Sequence, residues 1–91
     1  MIVCFYKKSF LKDLAKLPKH YREQIERLAF EEIPKLDNMF ATLDMKKMKG
    51  YQGYYRIRVG DYRIGCKVEE GNQILFYRVR SRADIYKLFP R

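Results

Sequence analysis

Apolar residues recur along this 91-residue chain with two different periods, and the change from one to the other falls near residue 54. Before it the repeat is helical. Residues 2–6 are a short β-rich run closed by Lys7-Lys8-Ser9, after which Phe10, Leu11, Leu14, Ala15 and Leu17 make a stripe at helical spacing up to Pro18. Ser9 stands where it can cap that helix. A second helix is predicted over 19–33, with Tyr21, Ile25, Leu28, Ala29 and Ile33 on its apolar side and Arg22, Glu23, Glu26 and Arg27 on its wet side. Pro34 disfavours α geometry at Ile33 and predicts a stop there. Residues 37–50 show no clear period, and their Met-Lys-Lys-Met-Lys-Gly end, which contains Lys49, reads as a basic loop.

From Tyr54 the period is two. Tyr55, Ile57 and Val59 alternate with Tyr54, Arg56 and Arg58, and Gly60-Asp61 suits a two-residue hairpin turn in which glycine takes a positive φ. Tyr62, Ile64, Cys66 and Val68 continue the apolar face on a second strand. After a turn at 69–72, residues 73–80 form a third, with Leu75, Tyr77 and Val79 expected to face inward. The first turn pairs Val59 with Tyr62, Ile57 with Ile64 and Arg58 with Arg63. A second two-residue turn at Gly71-Asn72 pairs Val68 with Leu75, Cys66 with Tyr77, Ile64 with Val79 and Arg63 with Arg80, so every core pair is apolar or aromatic. A four-residue loop would set Val68 against Gln73. A short helical segment at 83–88 precedes Pro90.

The expected fold is therefore α+β: an N-terminal strand and two helices packed on one face of a twisted, mainly antiparallel sheet, with a short C-terminal helix. Residues 1–91 are read as a single domain. Composition agrees, because 47% hydrophobic and 15% aromatic residues supply enough apolar surface to offset the entropy of ordering one small core. No apolar run approaches the ~20 residues that span a bilayer, and the N-terminal run is too short for a signal peptide's apolar region. A soluble, cytoplasmic protein is expected. Cys4 and Cys66 lie in apolar runs with no partner at metal-ligand spacing, so they read as small buried hydrophobes, and no metal or cofactor is expected.

Charge changes the picture. The chain carries a net +9, and residues 1–45 hold eight Lys/Arg against seven Asp/Glu whereas residues 46–91 hold twelve against four. A positive field focused in one half points first to nucleic acid and then to an acidic protein partner. The register sharpens this into a row of Arg58, Arg63 and Arg80 across three strands, with Arg56 and Arg78 beside it on the same face. Like charges directly opposite destabilise by a few tenths to ~1 kcal/mol, so stability alone does not choose the row. A polyanion lying across it would offset the repulsion, and arginine forks suit phosphate oxygens. Tyr54, on the parity of Arg56 and Arg58, and Tyr86, after the Arg78, Arg80, Arg82 stretch, add aromatic rings of the kind that stack on single-stranded bases.

Tyr-Tyr-Arg-Ile-Arg-Val-Gly-Asp-Tyr-Arg-Ile at 54–64 and Arg-Val-Arg-Ser-Arg-Ala-Asp-Ile-Tyr at 78–86, with the Ser-Phe-Leu-Lys-Asp-Leu opening of the first helix, resemble the RelE/ParE superfamily of bacterial and archaeal toxins. The resemblance implies the toxin of a toxin-antitoxin pair, which cleaves messenger RNA in the ribosomal A site amid ribosomal RNA contacts and is held inactive by a cognate antitoxin. Position by position, Arg56 and Arg58 match the first basic pair, Arg63 the arginine of the Tyr-Arg step, and Arg80 and Tyr86 the arginine and tyrosine of the RNase branch's ending. The best-known member has lysines at the first pair. Arginines cannot act as bases there, so the role of this pair is electrostatic.

On that reading RNA supplies its own nucleophile, the 2′-hydroxyl. His20 precedes the second helix, far in sequence from the basic strands, which leaves Tyr86 as candidate base with nearby arginines favouring its phenolate. Arg63 and Arg80 would stabilise charge developing on the phosphate. Candidate RNA contacts are Arg56, Arg58, Arg78, Arg82, Lys49 and Tyr54. Two alternatives stay open: a poison of DNA gyrase, a branch that generally lacks the terminal tyrosine, and an inactive homologue that only binds antitoxin.

Overall fold

The computed structural model describes residues 1–70 and 72–90. Strand β1 (Val3–Tyr6) leads into helix α1 (Lys8–Ala15), and α2 (Lys19–Glu26) continues through a π turn (Arg27–Glu32) and a 3-10 turn (Ile33–Lys35). Helix α3 (Met39–Thr42) and strands β2 (Met45–Lys47), β3 (Tyr54–Val59), β4 (Tyr62–Glu69) and β5 (Gln73–Ser81) follow, and α4 (Ile85–Leu88) closes the chain. The five strands form one mixed sheet in the order β1-β5-β4-β3-β2, with β1 parallel to β5 and the remaining pairs antiparallel. The α+β arrangement agrees with the expectation from sequence.

Helices α1 and α2 cover one face. Phe10, Leu14, Ile25, Ala29 and Ile33 pack on Ile57, Ile64, Cys66, Ile74, Phe76 and Val79. Each fully buried Phe or Ile there contributes about 1.5–3 kcal/mol. Burial pushes the Cys66 thiol up, and Cys4, half-buried, is pushed the same way. Tyr6 ties β1 to α2: its hydroxyl donates to the Ala29 carbonyl at 2.7 Å, and burial pushes the phenol up to about 12.

Several local expectations need correction. Leu11 and Ala15 are exposed, and Asp13 takes their place on the buried side of α1. Ser9 does not cap that helix; Lys7 is the N-cap residue and the Ser9 hydroxyl donates to the Tyr77 carbonyl at 2.6 Å. Pro34 does not stop the second helix at Ile33. It sits at the start of the 3-10 turn, where its missing N–H has no helical partner to lose, and the chain turns extended only at Leu36. Within 37–50 there are two short elements: α3, whose N-terminal N–H groups at Phe40 and Ala41 are capped by Asn38 Oδ1, and β2, which pairs Met45 with Ile57 and Lys47 with Tyr55.

The β3–β4 register is the expected one, from Val59 opposite Tyr62 to Tyr54 opposite Lys67, and Gly60 has φ +58. The β4–β5 register starts as expected at Arg63 opposite Arg80 and Ile64 opposite Val79, then shifts by one at Gly65/Cys66. Beyond the shift Cys66 faces Phe76 and Val68 faces Ile74, so those two enter the core in place of Tyr77 and Leu75. Gly71, half of the expected second turn, lies outside the described residues. Tyr77 is the extra residue of the bulge and is left without a partner on β4. Its ring packs instead with Tyr54 and Phe89, and burial, then Tyr54, pushes the phenol up to about 12.

Candidate functional site

Strands β3, β4 and β5 carry the candidate residues on the face turned away from α1 and α2. Arg58 lies opposite Arg63, and Arg63 opposite Arg80, so the row read from the turns exists. About 7 Å along the strands a second row runs Lys46, Arg56, Gly65, Arg78. Gly65 is the gap in that row, and the chain's end fills it. After β5 the Ser81 hydroxyl oxygen accepts the Asp84 N–H at 3.3 Å, and α4 folds back across this face. The Phe89 ring sits directly over Gly65, and with Ile85 and Met48 it forms a small second core.

This seat decides where Tyr86 goes. One turn of chain before Phe89, it projects from α4 with its ring half exposed, and the Arg56 guanidinium lies over the ring at 5.3 Å from the centroid. Lys46, Lys47, Lys49, Tyr51, Arg56 and Tyr86 line a hollow of about 430 Å³. A neighbouring hollow of about 260 Å³ is lined by Asp44, Lys46, Arg56, Arg58 and Arg63. Lys46 and Arg56 line both. The two hollows therefore form one basic path with a phenol at one end.

The like-charge rows are relieved partly by carboxylates from outside the sheet and partly by backbone carbonyls of the β3–β4 hairpin. Arg58 Nε lies 3.8 Å from Asp44 in an exposed pair, worth little in water. Arg63 folds back, its Nη1 donating to the carbonyls of Gly60 at 2.9 Å and Tyr62 at 3.0 Å. Arg78 and Arg80 both pair with Asp13. Their neighbouring carboxylates were not foreseen in the turn-based reading, because Asp13 and Asp44 arrive from α1 and from the residue before β2.

Among the other candidates, Lys49 joins Arg56 and Tyr86, whereas Arg82 is exposed beyond β5 and its backbone N–H donates to the Asp61 backbone carbonyl. Tyr54 is not an open stacking platform. It is half-buried against Tyr51, Tyr77 and Phe89, with Lys67 Nζ 5.3 Å from its ring centroid. His20 is exposed and lines a separate hollow with Glu23, Gln24 and Arg27. Among the described residues no three His, Cys, Asp or Glu side chains gather as a metal site, and no helix is long and apolar enough to cross a membrane.

Comparison with known proteins decides the family. Residues 5–86 match the family model described as "ParE toxin of type II toxin-antitoxin system, parDE". Toxin RelE3 of Methanocaldococcus jannaschii is 48% identical over 86 residues, spanning 93% of this chain and 96% of its own length. The chain belongs to the RelE/ParE family of toxins. Its fold superimposes on the crystal structure of the RelB-RelE antitoxin-toxin complex from Methanococcus jannaschii with a TM-score of 0.76 at 46% identity, covering 94% of this chain and 99% of that one. The archaeal RelE-RelB complex from Pyrococcus horikoshii matches at 30% identity and a TM-score of 0.57, covering 89% and 94%.

In this RelE/ParE toxin five residues around the site escaped the reading of candidates: Lys46, Lys47, Tyr51, Asp44 and Asp13. For the first two a signal existed, since Met45 and Lys46 alternate as a strand would. A three-residue strand is too short for period two to stand out. Asp13 offered no such signal, because an acidic residue inside an amphipathic helix ordinarily marks its wet side.

Proposed function

We propose that this chain is a metal-independent endoribonuclease that cleaves messenger RNA on the ribosome and so inhibits translation. The observation that carries the reading is Tyr86 held against Arg56 at the mouth of a lysine-lined path. Single-stranded RNA laid along that path meets a run of cations and a ring at its end. The Tyr86 phenolate takes the proton of the 2′-hydroxyl, the 2′ oxygen bonds to phosphorus, and the bond to the 5′ oxygen breaks. Arg63, which lines that path, and Arg80, opposite it on β5 beside a separate hollow, stabilise the charge that grows on the phosphate oxygens, and the leaving 5′ oxygen takes its proton from solvent. The products are a 2′,3′-cyclic phosphate and a 5′-hydroxyl. Arginine is a poor general acid, which fits a reaction whose RNA geometry is imposed by the ribosome.

A second reading, inhibition of DNA gyrase, is favoured by the ParE description of the matching family model. Both are separated by adding the purified chain to a translating extract and mapping messenger ends by primer extension, with a supercoiling assay on gyrase in parallel. Cut messenger with unaffected gyrase is the expected result. Gyrase inhibition with uncut messenger would sink the nuclease reading.

Two further expectations follow from charge. The net +9 and the antitoxin complexes formed by similar toxins support an acidic antitoxin as partner, covering the basic path in the cytoplasm. Co-expression with it should rescue growth that this chain alone inhibits; a harmless chain at verified expression would argue against a toxin. For RNA, neutralising about three phosphates predicts a log-log salt slope near −2, at about −0.7 per phosphate. Arg58→Ala should flatten the slope by about 0.7. A slope left unchanged by both Arg58→Ala and Arg63→Ala would remove the row from RNA binding.

A further inference from the structure

Asp13 is the residue that stability alone would not select. Among the described residues it is the one buried charged or polar side chain, 4% exposed, on the stripe of α1 that also buries Phe10 and Leu14. Leucine there would add apolar burial and a better helix former. The carboxylate instead accepts four hydrogen bonds from β5. Oδ2 takes Arg78 Nε at 2.7 Å and the Val79 backbone N–H at 3.2 Å; Oδ1 takes Arg78 Nη2 at 3.1 Å and Arg80 Nη1 at 3.2 Å.

The fold explains how a helix residue reaches that position. β1 pairs with β5 only as far as Phe76, and from there α1 runs along the edge that β1 leaves open. Lys7 N–H donates to the Phe76 carbonyl, the Ser9 hydroxyl to the Tyr77 carbonyl, and Asp13 accepts from Val79. A serine or asparagine could satisfy one edge N–H. Only a carboxylate also binds both guanidiniums, and buried ion triads are on balance neutral or unfavourable beside apolar packing. What this triad supplies is direction. The Arg78 fork is clamped by both oxygens, and one nitrogen of Arg80 is tethered while the rest of that side chain stays accessible beside a hollow of about 300 Å³ lined by Lys16, Tyr62 and Ser81. Without the tether, repulsion from Arg63 and Arg78 on either side would drive Arg80 outward.

We propose that Asp13 is a positioning residue for RNA cleavage, aiming Arg80 through one buried carboxylate that also fixes Arg78. The proposal rests on the endoribonuclease reading. Its test compares wild type, Asp13→Leu, Asp13→Asn, Arg80→Ala and the Asp13→Leu/Arg80→Ala double variant in single-turnover cleavage of ribosome-bound messenger, with RNA affinity and melting temperature measured on each. Asp13→Leu orphans the buried Val79 N–H and leaves two guanidiniums without their carboxylate, so it should melt lower than wild type. The folded variant should nevertheless bind single-stranded RNA at least as tightly, because those guanidiniums lose their counterion. Cleavage should slow by about 10²-fold, the cost of misplacing a reacting group by about 1 Å. The double variant should cleave no more slowly than Arg80→Ala, since Asp13 acts through that arginine. A purely structural role would lower RNA affinity along with melting and leave the two losses additive. Should leucine fail to fold, Asp13→Asn carries the same comparison, keeping an acceptor for Val79 and losing the charge. A folded Asp13 variant cleaving at the wild-type rate, or additive losses, would overturn the proposal while leaving the nuclease reading standing. Wild type that does not cut would overturn both.

Discussion

Tyr86→Phe should leave the fold intact and slow cleavage of ribosome-bound messenger by about 10²- to 10⁴-fold, the usual worth of a general base. The substitution keeps the ring, and so keeps the Arg56 guanidinium over it at 5.3 Å and the helical register that seats Phe89 on Gly65. Only the phenolic oxygen is lost, and it is the atom that accepts the 2′ proton in the proposed reaction. Antitoxin binding and RNA affinity should change little, because Tyr86 is half exposed and contributes no buried hydrogen bond to the core. Tyr86→Ala should be no more active and should bind RNA more loosely, having lost the ring. Primer extension on messenger, quantified against wild type at matched folded concentration, reads the effect. Full cleavage by Tyr86→Phe would remove this residue as the base and return the question to the arginines.

Gly65→Ala should be nearly as damaging, though it touches no RNA. A Cβ at residue 65 would stand 2.6, 2.7 and 2.9 Å from three ring atoms of Phe89, a ring that is itself 2% exposed. Overpacking of this kind costs about 1–3 kcal/mol. The cheapest relief is for the ring to leave its seat, and α4 then leaves with it. Since Tyr86 reaches Arg56 only through α4, cleavage should fall by about 10²-fold or more. The main core lies on the opposite face and should survive, so a small drop in melting temperature with a large drop in rate is the expected signature. Phe89→Leu in the Gly65→Ala background, by shrinking the ring, should recover part of the rate. Wild-type cleavage by Gly65→Ala would mean that Tyr86 does not need its seat.

Much of the arginine arrangement was legible beforehand because the Gly60-Asp61 turn leaves little choice of register. Once Val59 faces Tyr62, the pairing of Arg58 with Arg63 follows from a side-chain period of two. The β4–β5 ladder was legible only for half its length. Ile74, Leu75, Phe76 and Tyr77 are all apolar or amphipathic, so period two has no phase in that run, and a bulge that swaps which pair is buried leaves no trace in the pattern. Tyr54 was misread for a related reason. Strand parity places it on the face of Arg56, but whether that face is wet depends on where residues 85–90 fold, and α4 with Phe89 covers it.

What the sequence by itself determined is the α+β class, the inward face of β3 and the front half of β4, and a cross-strand row of arginines without carboxylates of its own. These follow from backbone periods and one tight turn, which act between residues close in the chain. The tertiary structure decided which of those arginines are spoken for, that Lys46 and Lys47 join them through β2, and that Tyr86 stands over Arg56. Each of those outcomes depends on partners far apart in sequence: a short β1 that leaves the β5 edge to α1 and Asp13, and a glycine that admits Phe89. An unpaired N–H at a sheet edge and the space above a glycine come into being only when distant segments meet, so no local spacing could have announced them.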